Sequence, residues 1–316
     1  MNKEVFAYNS SDGHSRISAE IYTPRTAVVR AVVQVSHGMC EYVGRYQELA
    51  RALCDQGMVL CGNDHLGHKQ TALLGREKLG YFGGLGTRRF LIEDLELMRR
   101  EMAERYPGVP YFLLGHSMGS FAARLYALRF GQELDGLILS GTAGSNPAAA
   151  GGRLMARSIA MTRGDKFVSK TLYQLSLGAY AKAFPQDGPV GWLTRDPAVR
   201  EAYLRDPYCT FRFTASAYHE LFSMMEECNA KSWYERYPKR LPVYLIAGDK
   251  DPVGGQGAGP REVYQKLVAA GAQDVRCSLY PDARHEVFNE TCRRQVTQDL
   301  LAWLEDILAQ EVVMDH

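Results

Sequence analysis

Tyr111-Phe112-Leu113-Leu114-Gly115-His116-Ser117-Met118-Gly119-Ser120-Phe121-Ala122-Ala123 joins an apolar run to a helix-like pattern through one serine set between two glycines. Four consecutive apolar residues predict a strand buried on both faces. On the far side Phe121, Ala122, Leu125 and Tyr126 recur at helical spacing. A chain with 30 glycines holds a GxSxG by chance about 0.14 times, so the pentapeptide by itself says little. The strand–turn–helix setting says more. It is the context in which a nucleophilic serine is presented on a sharp, strained turn, and the flanking glycines let backbone close around it.

Outward from this turn the chain alternates strands and helices. Lys3–Tyr8 and Arg16–Tyr22 read as two strands joined at Ser11-Asp12-Gly13. Ala31–Val35, Met58–Cys61, Tyr111–Leu114, Leu137–Leu139, Val243–Ala247 and Val275–Leu279 read as further buried strands. Between them, Tyr46, Leu49, Ala50 and Leu53 mark one helix, and Leu91, Leu95, Met98 and Met102 another, which ends before Pro107. Helices are also expected over 120–130 and 260–270, and a last one carries Val296, Leu300, Leu304, Ile307 and Leu308. The fold class is therefore α/β, with a mostly parallel eight-stranded sheet between helices. Residues 143–238 break the rhythm. They contain 14 aromatics in 96 residues, against 19 in the other 220, and no strand–helix repeat. They are expected to form a helical cap inserted into a core made of 1–142 and 239–316.

Composition narrows the classes. The chain has 316 residues, 46% of them hydrophobic, with a formal charge of +1. That is enough length for a large core and gives no bulk charge to recruit nucleic acid or an anionic membrane. No apolar run reaches the roughly 18 residues of a membrane span, and Met1-Asn2-Lys3-Glu4-Val5 lacks an apolar leader. Seven cysteines without CxxC spacing argue against a disulfide scaffold or zinc module and fit reduced thiols in a cytoplasmic protein.

A serine hydroxyl needs a base, and the base needs an orienting carboxylate. Three histidines follow Ser117: His219, His285 and His316. His316 is terminal and His219 falls in the expected cap. His285 follows a strand and the turn Tyr280-Pro281-Asp282, where a loop at the carboxyl edge of the sheet belongs, so it is the expected base. After strand 243–247 come Asp249 and Asp251. Asp251, stiffened by Pro252, is preferred as the acid, with Asp249 as a turn residue and competing choice. Backbone N–H groups of Met118 and of Met39, in Ser36-His37-Gly38-Met39-Cys40-Glu41, are the expected oxyanion donors. His65 and His68, three apart with no third ligand, are read as a hydrogen-bonded loop rather than a metal pair. This chemistry requires no metal or organic cofactor.

The whole pattern resembles the α/β-hydrolase-fold proteins of the monoacylglycerol lipase and lysophospholipase type, a group that includes the serine aminopeptidases. The resemblance rests on an HGxxE turn at His37–Glu41, a DHxGHG-like loop at Asp64–His68, GHSMG at Gly115–Gly119 and GxxDPV at Gly248–Val253. It departs at Lys69, where such loops have glycine. The cap stretches Trp192-Leu193-Thr194-Arg195-Asp196 and Asp206-Pro207-Tyr208-Cys209 resemble the lid of bacterial lysophospholipase-like members. The resemblance implies a two-step serine hydrolase acting on carboxylic esters, with a monoacylglycerol or lysophospholipid as the small-molecule partner. His37, Tyr218 and His219 are expected substrate contacts, and the cap is a candidate for transient contact with a lipid surface.

Three rival readings stand beside it. An aminopeptidase of proline-preferring type would need a carboxylate cluster in the cap, for which Glu226-Glu227 is the adjacent acidic pair. A general short-chain carboxylesterase would keep the triad without an acyl-chain site. A non-catalytic binding module would lack a triad member, and a candidate for each is present.

Overall fold

The computed structural model describes residues 1–26 and 28–314, so His316 lies outside the described residues. Eight strands form one sheet: β1 (Asn2–Asn9), β2 (Arg16–Thr23), β3 (Ala31–Ser36), β4 (Met58–Asn63), β5 (Tyr111–His116), β6 (Gly136–Ser140), β7 (Val243–Gly248) and β8 (Val275–Tyr280). Their spatial order is β1-β2-β4-β3-β5-β6-β7-β8. β1 pairs antiparallel with β2, and β2 antiparallel with β4; every other pairing is parallel.

Six helices accompany this sheet directly: α1 (Gln47–Asp55), α2 (Lys69–Leu74), α3 (Arg88–Arg105), α4 (Met118–Phe130), and, after the excursion described next, α11 (Ala258–Ala269) and α12 (Arg293–Met314). Between β6 and β7 the chain makes α5 (Ala148–Arg163), α6 (Lys170–Leu175), α7 (Leu177–Tyr180), α8 (Pro197–Arg205), α9 (Ala215–Asn229) and α10 (Lys231–Arg236), with no strand among the described residues.

The period-2 geometry of strands explains the two cores. Val32, Leu113, Leu137 and Leu245 face one side and pack with α3, α4 and α9. Val33, Leu114, Ile138 and Ile246 face the other and pack with α1 and α12. A sheet covered on both faces reads as unbroken apolar runs, which is why its central strands were legible. β8 differs from expectation: most of its residues are only half-buried, because it has a neighbour on one side alone. The excursion is not a detached layer either. Ala217, Tyr218, Met224 and Cys228 of α9 are buried in the same core as α4. Among the described residues no helix is long and apolar enough to cross a membrane.

Candidate active site

Ser117 stands between β5 and α4 with φ 51° and ψ −120°, a conformation that costs an L-residue about 1–3 kcal/mol and persists only where neighbours impose it. They do. Ser117 N–H donates to Ser140 O at 3.0 Å, and the Ser117 carbonyl accepts from Ser120 N–H at 2.9 Å and from Ser120 Oγ at 2.6 Å. Gly119 lets the start of α4 touch the end of β3: a Cβ there would lie 1.9 Å from Ser36 O.

The turn after β3 lies against the serine. A Cβ on Gly38 would stand 3.1 Å from Ser117 Cβ. Gly38 N–H donates to Glu41 Oε1, and Gly38 O lies 2.8 Å from His37 Nδ1. His37 Nε2 accepts from His65 N–H at 2.9 Å, which leaves the ring proton on Nδ1, pointing at that carbonyl. Both sides of Gly38 are thus tied. Among the described residues, the N–H groups of Met39 and Met118 have no acceptor, and both residues line the cavity beside Ser117. Two unpaired backbone donors at such a place suit a developing oxyanion.

Glu41 also accepts from Tyr46 Oη at 2.9 Å and pairs with Arg45 at 3.2 Å. Arg45 in turn pairs with Glu286 at 2.6 Å. Burial pushes the Glu41 carboxyl up to about 7, with Arg45 opposing and Glu286 reinforcing the shift. Sequence reasoning did not find this Glu41–Arg45–Glu286 bridge. The four-residue spacing of Glu41 and Arg45 was the available signal, and Glu286 is distant in sequence.

Asp251, just past β7, and His285, just past β8, meet with Nδ1 2.9 Å from Oδ2, both fully or almost fully buried. Asp251 Oδ1 accepts from Val253 N–H at 2.9 Å, which aims the other oxygen at the ring. Burial alone would depress the imidazole, but the Asp251 charge and hydrogen bond outweigh it, and His285 titrates above its ordinary value. Asp249 faces elsewhere, accepting from Asp282 N–H at 2.7 Å in a turn. Ser117 and His285 line the same cavity without a hydrogen bond between them, a looseness common before substrate binds.

That cavity has a volume of about 240 Å³. Met155, Leu172, Leu175, Leu177, Leu221 and Met225 supply much of its apolar wall. Three expected contacts are elsewhere, and each is a correction. His37 is buried beneath the turn after β3, its two ring nitrogens engaged as described. Tyr218 is wholly buried on the inner face of α9, its Oη accepting from Ser176 Oγ at 3.1 Å. His219 pairs with Glu220 at 2.8 Å, away from the cavity. The residues of α9 that do reach it are Leu221, Phe222 and Met225.

His65 and His68 join His37 in a buried ring cluster, with centroids 4.3 Å and 4.9 Å from His37. Burial drives His65 to about 3 and His68 to about 4, so both are neutral. Among the described residues no group of His, Cys, Asp and Glu is arranged to hold a metal ion. Lys69 leans over the Tyr42 ring at 3.6 Å, outside the cavity wall. Glu226 pairs with Arg153 and Glu227 with Arg88, and neither lines the cavity.

The family described as serine aminopeptidase, S33, matches residues 27–292. The monoacylglycerol lipase of Mycolicibacterium smegmatis is 28% identical over 296 residues, covering 92% of this chain and 94% of that protein. The monoglyceride lipase of Homo sapiens is 28% identical over 279 residues, covering 85% and 80%. Among solved structures, a thermostable carboxyl esterase from Bacillus coagulans in complex with glycerol superposes with a TM-score of 0.90 at 32% identity, covering 98% of this chain and 99% of that one.

Proposed function

The chain belongs to the serine aminopeptidase S33 family of α/β hydrolases, and from that premise we propose that Ser117, His285 and Asp251 act together in ester hydrolysis, with monoacylglycerols as the preferred substrates. The protein is a serine ester hydrolase. The observation that carries the substrate reading is the apolar cavity with Ser117, Met39, Met118 and His285 at one wall. An acyl chain threaded there gains about 0.8 kcal/mol per buried methylene, a gain that a charged peptide does not share. The relatives named for monoacylglycerol and the esterase bound to glycerol support a glycerol-bearing alcohol portion. Glu226 and Glu227 are occupied by arginines away from the cavity, so the acidic pair that the aminopeptidase alternative rested on does not face the substrate space.

In the proposed reaction His285 Nε2 accepts the Ser117 hydroxyl proton as Oγ attacks the ester carbonyl. The N–H groups of Met39 and Met118 hold the oxyanion. Asp251 keeps the proton of the neutral ring on Nδ1 and stabilises the imidazolium that forms. Collapse breaks the acyl–oxygen bond, and His285 returns its proton to the departing alcohol. Water, losing its proton to His285, then attacks the acyl-enzyme; the acyl–Oγ bond breaks, His285 returns the proton to Ser117 Oγ, and the fatty acid is released.

We read 143–238 as a cap over a core of 1–142 and 239–316. Its α5 and α6 expose Leu154, Met161 and Leu175 to 57%, 70% and 64%, which suits brief contact with a lipid surface. Seven unpaired thiols fit a reducing compartment such as the cytoplasm. The test is hydrolysis of p-nitrophenyl esters, 1-monoacylglycerols and lysophosphatidylcholine by the unmodified enzyme and Ser117→Ala. Turnover that requires Ser117 and rises with acyl length on monoacylglycerols is expected. Turnover confined to the shortest esters would demote the lipid reading to a general esterase.

A further inference from the structure

The imidazole of His285 occupies a slot with three sides. The His116 ring lies 4.8 Å away, centroid to centroid. Gly141, just after β6, leaves the second side open for the ring, since a Cβ there would lie 3.1 Å from His285 Cε1 and Nδ1. The Trp192 indole, 5.2 Å away and inclined at 39°, closes the third. The first two sides come from the carboxyl edge of the sheet. Trp192 alone of the three comes from the β6–β7 excursion.

Its backbone is engaged as well. Trp192 O accepts from His285 N–H at 3.3 Å, and Leu193 O accepts from Glu286 N–H at 2.8 Å. The Tyr180 ring also packs on the indole, 5.4 Å away and tilted at 48°. Tyr180, Trp192 and His285 all line the cavity, and Trp192 is 7% exposed. Asp251 secures Nδ1 only, so a ring held at that one atom can still tilt, and proton transfer requires Nε2 to face Ser117. A displacement of about 1 Å can cost about 10²-fold in rate.

We infer that Trp192 is a positioning residue for His285: its indole and its carbonyl hold the imidazole and the backbone beneath it so that Nε2 is aimed at Ser117. This rests on the reading of Ser117 and His285 as the proton-transfer pair. It assigns part of the excursion to the chemistry itself, besides any role in covering substrate.

The experiment uses p-nitrophenyl acetate, whose acyl group is too short to need the apolar wall. Trp192→Ala is expected to lower kcat about 10- to 100-fold with KM changed less than about threefold. Trp192→Phe, which keeps an aromatic face, restores most of it. A second readout needs no turnover. An imidazolium quenches an indole stacked on it, so tryptophan fluorescence should fall as pH drops through the His285 titration. The charged and titratable groups around the ring are Asp251, His116, Glu286, Glu41 and Arg45. His285→Gln separates its step from that of Glu41. The step should vanish in Trp192→Phe and His285→Gln and persist in Ser117→Ala. Persistence of activity in Ser117→Ala would sink the hydrolase reading while leaving the fluorescence step to judge the Trp192–His285 contact. Unchanged kcat in Trp192→Ala overturns the inference, and so does a loss that phenylalanine does not reverse. Should the alanine variant fail to fold, a fluorescence step missing from the unmodified enzyme overturns it equally.

Discussion

Two stretches of the same excursion border the cavity, and they are fastened to different partners. Residues 187–196 are fastened to the His285 loop by directional polar contacts. Asp187 pairs with Arg284 at 2.6 Å, Arg195 with the fully buried Glu290 at 3.1 Å, and Asp196 with Arg293 at 2.9 Å. Residues 148–177 are tied chiefly to α9: α5 packs on it through apolar side chains, Arg153 pairs with Glu226, the Phe167 carbonyl accepts from Ala215 N–H at 2.7 Å, and Ser176 Oγ donates to Tyr218 Oη at 3.1 Å. Hydrogen bonds and ion pairs fix angles and distances, so each stretch is set relative to the element it is tied to. The stretch beside His285 is thus set by the loop that carries that ring, and the stretch along the apolar wall by α9 of the same excursion.

The comparison breaks first if the chemistry does not lie where it is placed. Ser117→Ala should lower kcat by about 10⁶-fold; ester turnover near that of the unmodified enzyme would remove the whole assignment. Asp251→Asn should cost about 10⁴-fold in kcat, and Asp249→Asn only a few-fold at most. Equal losses in the two variants would show that the carboxylates had been told apart wrongly.

The same substitution has a pH signature. The active form needs neutral His285, so the acid limb of kcat/KM should rise with pH at a midpoint above the ordinary 6.5, because Asp251 favours the protonated ring. Removing the Asp251 charge leaves burial opposed only by the weaker pull of Glu286 and Glu41, and the midpoint should move down. An upward or absent shift in the rate profile contradicts the pairing.

Smaller effects sharpen the contrast within the excursion. Glu290→Ala strips partners from Arg195 N–H and the buried Arg284 N–H. It should lower unfolding free energy by about 1–3 kcal/mol in urea titrations. Met161→Ser combined with Leu154→Ser should leave stability within about 0.5 kcal/mol at each site. That pair should still slow hydrolysis of dispersed monoacylglycerol several-fold while sparing p-nitrophenyl acetate. Unaltered activity on dispersed lipid would mean that α5 does not meet its surface.

The serine turn was legible because all its determinants are local: an apolar strand, two residues without a Cβ, and a helical repeat starting at once. Asp251 and His285 were legible for a related reason, since parallel strands place their following loops at one edge. Residues on the excursion were harder. Tyr218 and His219 looked like contacts because they are polar residues in an aromatic region. The face of α9 that meets the cavity, however, is set by how the helix rolls against α4 and α5, which leaves Leu221, Phe222 and Met225 there. His37 was misplaced because nothing in its neighbours along the chain reveals that its ring turns down to meet His65.

From its residues alone the chain dictated the sheet, the strained serine, and the loops that carry His285 and Asp251, because strand period, turn chemistry and parallel topology act over short stretches of sequence. The tertiary structure alone decided that Trp192 stands against His285, that Arg45 ties Glu41 to Glu286, and that the wall of the cavity is apolar. Those contacts join segments up to 241 residues apart, and their geometry follows from how packed elements roll and settle against one another, which no local pattern encodes.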